Sequence, residues 1–272
     1  MPITADLGGK QYTLGRGKVF IDRYPQNVVM TALTQGEGER YIGNTPEFMT
    51  NSSSEDLDHY DSDAGVRTKD DSVQLSFDRA GSFTCDNIDS ENIALYFLGD
   101  KSTVTQSSAT GVTSTFTVKR GRFYQLGATA LLPAGVRNVS NVVVKKGVAF
   151  ADTVTMAGNY EVDEVLGRIY IEAGSTDIPD DTEIQITFDI AASTRGQVVS
   201  KNRSIYCAIR FVADNPKGVN RDYYFPYVKL SPDGDYNLKG EEWQTMGFTM
   251  EILKKASNVE SVYIDERPVV TP

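Results

Sequence analysis

Two glutamates and six aspartates, Glu47, Glu55, Asp56, Asp58, Asp61, Asp63, Asp70 and Asp71, crowd into residues 44–72 together with the chain's single histidine, His59. Such a cluster suggests several kinds of chemistry. Asp56, Asp58, Asp61 and Asp63 offer hard oxygen ligands to Ca²⁺, but their spacing lacks the glycine and distal bidentate glutamate of an EF-hand loop. His59 could act as a ligand or base, yet no His-x-x-x-His or Cys-x-x-Cys accompanies it, so a hydrogen-bonding surface residue is the simpler reading. A carboxylate pair could cleave a glycosidic bond, but sequence fixes no separation between two carboxyls. Only Arg67 and Lys69 relieve the negative charge. The segment therefore reads either as a solvated acidic loop or as an arm that becomes ordered against something else.

No other constellation carries catalysis. The phosphate-binding pattern Gly-x-x-x-x-Gly-Lys-Ser/Thr and the nucleophile pattern Gly-x-Ser-x-Gly are both missing, and Gly36-Glu37-Gly38 is not spaced as a dinucleotide fingerprint. An enzyme is not expected, nor a cofactor or a resident metal. The net charge of -10, from 27 Lys+Arg against 37 Asp+Glu, argues against a broad phosphate-gripping surface. The longest apolar runs, such as 128–132, are far shorter than the roughly 20 residues that span a bilayer. Met1-Pro2-Ile3-Thr4 opens no basic-then-apolar leader, so neither export nor membrane spanning is expected. Cys85 and Cys207 then read as reduced, buried, small hydrophobes.

The elements that must position the acidic segment are strands. Val73, Leu75 and Phe77 alternate with polar residues, as do Ile184, Ile186, Phe188 and Ile190, which predicts one buried and one wetter face for each. Further strands are predicted at 18–24, 115–119, 141–145, 168–171, 204–213, 222–230 and 244–253, bounded by turns such as Asn215-Pro216-Lys217-Gly218. One short helix is predicted from Asp89 to Gly99: an N-cap aspartate, an acidic first turn, the stripe Ile93, Tyr96 and Phe97, and a terminal glycine. Small polar stretches at 101–114 and 191–196 mark a β-rich insert at 106–194 within a discontinuous host, 1–105 and 195–272. About 90 residues suit a small sandwich of six or seven strands. The aromatic run at 222–227 and Trp243 are expected to pack in the core or at a subunit interface; carbohydrate or partner binding is the other use of such residues.

Three runs carry a resemblance: Glu39-Arg40-Tyr41-Ile42-Gly43-Asn44-Thr45-Pro46-Glu47-Phe48; Leu57-Asp58-His59-Tyr60-Asp61-Ser62; and Lys69-Asp70-Asp71-Ser72-Val73. With Phe83-Thr84-Cys85-Asp86-Asn87-Ile88 and Gly240-Glu241-Glu242-Trp243, they resemble the major tail tube proteins of long-tailed bacteriophages. That resemblance implies a mainly β fold of two packed antiparallel sheets with one flanking short helix, to which the insert adds a β-sandwich. It implies a structural virion protein located in the viral tail and assembled in the bacterial host cytoplasm. Six copies would close into a ring, and rings would stack into a hollow tube that conducts DNA without binding it specifically. Tail-tip and tail-terminator proteins and a tape measure protein in the lumen would be its other partners. Asn44, Glu47, Phe48, Glu55, Asp56, Asp58, His59, Tyr60, Asp61, Asp63, Arg67, Lys69 and Asp70 would form the inter-subunit loop, helped by terminal arms at 1–17 and 259–272. An acidic lumen would repel phosphates, consistent with the chain's charge. A tail-tip or receptor-binding β-sandwich protein that recognises host-surface carbohydrate is the alternative.

Overall fold

The computed structural model describes residues 12–63 and 65–267; of the expected terminal arms, residues 1–11 and 268–272 lie outside that range. The chain is mainly β, with one α-helix among the described residues and antiparallel pairing in its ladders. The strands begin with β1 (Gly17–Arg23), β2 (Arg40–Tyr41), β3 (Glu47–Asp61), β4 (Thr68–Cys85) and, after α1 (Ser90–Tyr96), β5 (Asp100–Gln106). Then follow β6 (Ala109–Val118), β7 (Arg122–Gln125), β8 (Val139–Lys146), β9 (Asp152–Val154), β10 (Tyr160–Asp163), β11 (Arg168–Ile171) and β12 (Thr182–Ile190). The last are β13 (Ser193–Val199), β14 (Ile205–Ala213), β15 (Arg221–Asp233), β16 (Met246–Ile252) and β17 (Tyr263–Glu266).

Two compact units result, one of residues 1–101 with 198–272 and one of residues 102–197; the limits 106–194 expected for the insert lie a few residues inside the second. A two-stranded ribbon of β5 and β13 carries the chain out of the first unit and back.

The strands of the first unit form one sheet in the order β2-β1-β14-β15-β16-β4-β3, with β17 paired to β15. This differs from the expected two packed sheets. The physical reason lies in β15: it pairs with β17 along Arg221–Tyr224 and with β16 along Val228–Asp233, so a single long strand serves both halves of a coiling sheet. Coiling brings the two ends of the sheet face to face. Val19, Ile21, Ile205, Ile209, Phe225, Phe248 and Met250 fill the space between, joined by Cys85 and Cys207. Both cysteines are free and buried. Burial pushes the Cys207 thiol up to about 12 and raises that of Cys85, so both stay protonated and unreactive.

The helix forms where its capping signals stand. Asp89 Oδ1 accepts hydrogen bonds from the backbone N–H groups of Glu91 and Asn92 at 2.8 and 2.9 Å, and Leu95 enters the core while Ile93 and Tyr96 pack against it. The left-handed residue that ends the helix is Leu98, at φ 52°, rather than the expected Gly99. Gly99 is needed for space instead, because a side chain there would strike the Val199 carbonyl.

The second unit is a sandwich of seven strands. Its sheets, β6-β12-β8-β9 and β10-β11-β7, share a core that includes Ile184, Ile186 and Phe188 from β12 and Ile169 and Ile171 from β11. The clean alternation of β12 is what one buried and one wetter face requires.

Candidate functional site

The acidic segment is neither a loop nor structureless. β3 and β4 pair along their length, from Glu47 opposite Thr84 to Asp61 opposite Thr68, and this corrects the sequence reading of 44–72. Pairing between β16 and β4 ends at Arg79. Beyond it, residues 53–78 form a two-stranded arm whose strands bond only to each other. Nine residues from Ser53 to Asp61 extend about 30 Å at roughly 3.3 Å per residue.

The expectation of one buried face for Val73, Leu75 and Phe77 also fails. On the arm Leu57 lies directly opposite Val73, and Leu57, Val73 and Leu75 are 62%, 57% and 58% exposed. Two bulges, between Glu55 and Asp56 and between His59 and Tyr60, add local twist. The arm thus combines eight carboxylates, two cations and an apolar stripe, with solvent on both faces.

Side chains near the tip hold one another. Lys69 Nζ lies 2.6 Å from Asp58 Oδ1, which also accepts from Ser72 Oγ at 2.8 Å. The bond from Lys69, followed by that from Ser72, holds the Asp58 carboxyl below the usual range, and the same contact raises Lys69. His59 Nδ1 sits 2.6 Å from Asp70 Oδ1, and the Arg67 guanidinium lies over the Tyr60 ring at 5.0 Å. Asp61 caps the turn by accepting from the backbone N–H of Asp63 at 2.9 Å. Glu55 and Asp56 stand exposed along β3. Among the described residues no three His, Cys, Asp or Glu side chains converge as metal ligands.

Three of the expected arm residues belong elsewhere. Asn44 precedes β3 and donates to Asp86 Oδ2 at 2.6 Å. Glu47 begins the base of β3, within the body of the sheet. Phe48 points into the core, with ring centroids 6.0, 5.6 and 6.1 Å from Phe83, Phe211 and Phe225. Of the helix stripe, Phe97 lies at the surface, edge-on to Tyr96 at 5.4 Å and to Tyr236 at 6.2 Å. Trp243 is 94% exposed, which removes the core from the two placements expected for it, core or subunit interface, whereas Phe225 and Pro226 of the aromatic run are buried.

Sequence reasoning missed a cleft of about 340 Å³ beside the base of the arm. Phe48, Phe211, Tyr223 and Phe225 form its apolar wall, and Thr13 and Asn215 stand on its rim. The segments around it are tied together: Leu14 N–H donates to Lys217 O at 3.0 Å and Arg16 N–H to Asn215 Oδ1 at 2.9 Å. These residues lie some 200 positions apart, so no local pattern could have announced the cleft.

A curled antiparallel sheet with a projecting arm and an inserted sandwich makes this a mainly β protein whose conspicuous surface feature is an unpartnered ribbon. Residues 12–263 match the family described as Protein of unknown function UCP028589, and the chain belongs to that family. No curated protein matches the chain. No helix among the described residues is long and apolar enough to cross a membrane.

Proposed function

We propose that this chain is a structural virion protein, the major tail tube subunit of a long-tailed bacteriophage, whose copies form stacked hexameric rings around a channel for DNA ejection. The arm carries this reading. An isolated two-stranded ribbon is marginally stable in water, and one with exposed Leu57, Val73 and Leu75 gains stability only by burying them against another surface. β3 is also the outermost strand of its sheet, and an unpaired edge of this length invites association unless charge guards it. The carboxylates of the arm supply that guard in the free subunit. Ring closure follows when one surface meets a different surface of the next copy; a small axial offset in the same contact would produce helical filaments instead. The excess of acidic residues suits a conduit for DNA, since like charge limits sticking.

On this reading the protein resides in the virion tail after assembly in the bacterial host cytoplasm, with tail-tip, tail-terminator and tape measure proteins as partners. It needs no cofactor and catalyses nothing. Negative-stain electron microscopy of the purified protein across concentration and salt tests it: six-membered rings or hollow tubes are expected, and a protein that stays monomeric in every condition counts against it. The exposed Trp243, which shares a shallow surface pocket with Asp86, Ile88 and Gln244, favours a second reading as a tail-tip or receptor-binding protein for host-surface carbohydrate. A glycan array would separate the two.

A further inference from the structure

We propose that the cleft walled by Phe48, Phe211, Tyr223 and Phe225 is the receiving surface for the acidic arm of a second copy of this chain. The inference rests on the assembly reading above and specifies which surface completes the contact.

Charge selects this cleft over its rivals. Residues 53–78 hold eight carboxylates against Arg67 and Lys69, whereas the lining of the cleft holds Arg221 and no carboxylate, and Arg16 and Lys217 belong to the segments tied together beside it. Arg221 is engaged by Glu266 at 2.8 Å, but Arg16 and Lys217 form no ion pair among the described residues. A chain of net charge -10 thus keeps two cations without an ion partner among the described residues beside an opening whose lining holds no carboxylate. Two larger depressions lack this property. One, of about 440 Å³, contains Arg23, Arg40 and Lys101, but Asp100 and Glu91 already neutralise them. The other, of about 640 Å³, holds Lys229 bound to Glu251, with Asp233 beside them, and would repel an acidic arm.

Apolar surface matches as well. Tyr12, Leu14 and Val219 stand exposed about the cleft, and Leu57, Val73 and Leu75 stand exposed on the arm. Each set, left in water, costs about 25 cal/mol per Å² that contact would recover. Reach matches too: an arm of about 30 Å is comparable with the width of a unit whose radius of gyration is about 16 Å. Because Phe48 and Thr50 at the base of the arm also line the cleft, a docked tip sits beside the root of the next arm. Repetition of that contact propagates head to tail, as a heterologous interface requires.

The test uses two single-cysteine variants of the full chain, Ser62→Cys at the arm tip and Val219→Cys at the cleft. Native Cys85 and Cys207 are buried and free, so they supply no competing reactive thiol. Mixed under mild oxidation in assembly conditions, the pair is expected to form disulfide-linked dimers; Ser62→Cys mixed with Leu238→Cys, an exposed position away from the cleft, is not. Lys217→Glu is expected to slow assembly about tenfold at low salt, with recovery when Asp63→Lys is placed on the arm. If the wild type assembles while Lys217→Glu assembles as fast and the first pair does not link, this docking site is wrong and the assembly reading stands. If the wild type does not assemble and the Ser62→Cys and Val219→Cys pair does not link at any concentration, both fail.

Discussion

The rings of Phe48 and Phe211 stack with centroids 5.6 Å apart, although β15, β16 and β4 separate their strands within the sheet. Such proximity requires the sheet to turn back on itself until its outer strand covers its middle. Gly81 permits the turn: a Cβ there would stand 2.5 Å from the Met49 carbonyl oxygen and from Met250. Glycine within a strand commonly marks such a bend.

Phe48→Ala should therefore act on stability first. The side chain is partly buried among three other rings, so a loss of about 2 kcal/mol is expected, below the roughly 3–5 kcal/mol for a fully buried phenylalanine. Urea unfolding with an unchanged m-value checks this; a variant of native stability that cannot assemble would place Phe48 in an interface instead.

Asn92, buried in α1, should be costly to replace. Its Nδ2 donates to Ile42 O and Asn87 O, both at 2.8 Å, while Oδ1 accepts from Arg40 Nη2 at 2.6 Å. Asn92→Leu strands those carbonyls away from water, and a loss of about 2–3 kcal/mol is expected from unsatisfied buried groups. Thermal unfolding measures it directly.

The arm should behave in the opposite way. Replacing Asp56, Asp58, Asp61 and Asp63 by Ala, or Leu57 and Val73 by Ser, touches no core residue, so stability of the monomer should change by no more than about 0.5 kcal/mol per site. Assembly followed by light scattering should change in both. A lowered unfolding midpoint with normal assembly would remove the arm from any role between subunits.

Acid should release β17. Arg267 binds both oxygens of Asp222, at 2.9 and 3.1 Å, and this contact holds the carboxyl below the usual range. A depressed value in the folded state means that the unfolded chain binds the proton more readily. The stabilisation is therefore complete above the ordinary carboxylate pKa of about 3.9 and disappears as pH falls through the depressed one. Amide protection factors along Tyr263–Glu266 should stay constant from neutral pH down to the ordinary carboxylate range and drop below it. In Asp222→Asn they should be low throughout.

Much of this architecture was legible in the sequence, because alternation survives wherever a strand has one face in a core. β12, with Ile184, Ile186 and Phe188 buried, is the clearest case, and Asp89 announced the helix at its N-terminus. The arm was not legible because no face of it meets a core: Leu57 alternates with carboxylates instead of with a partner surface, and the bulges break the period. Phe48 was misassigned for a related reason. Its partners Phe211 and Phe225 lie more than 160 residues away, and nothing local distinguishes a curled sheet from two separate ones. The acidic composition of the candidate site could be read at once, whereas the cleft exists only after both ends of the first unit come together.

The order of synthesis gives the split first unit one more property. β14, β15 and β16 form the middle of its sheet, yet they are encoded after residue 204, while β1 to β4 precede residue 86. A ribosome adding about 5–20 residues per second needs roughly 5–20 seconds to traverse residues 102–197. During that interval the emerging arm has no sheet to stand on, and Phe211, Tyr223 and Phe225 do not yet exist. If the arm docks in the cleft of a second copy as proposed above, a chain acquires the surface it offers before the surface that receives, so docking waits on a receiving neighbour whose later strands are already made.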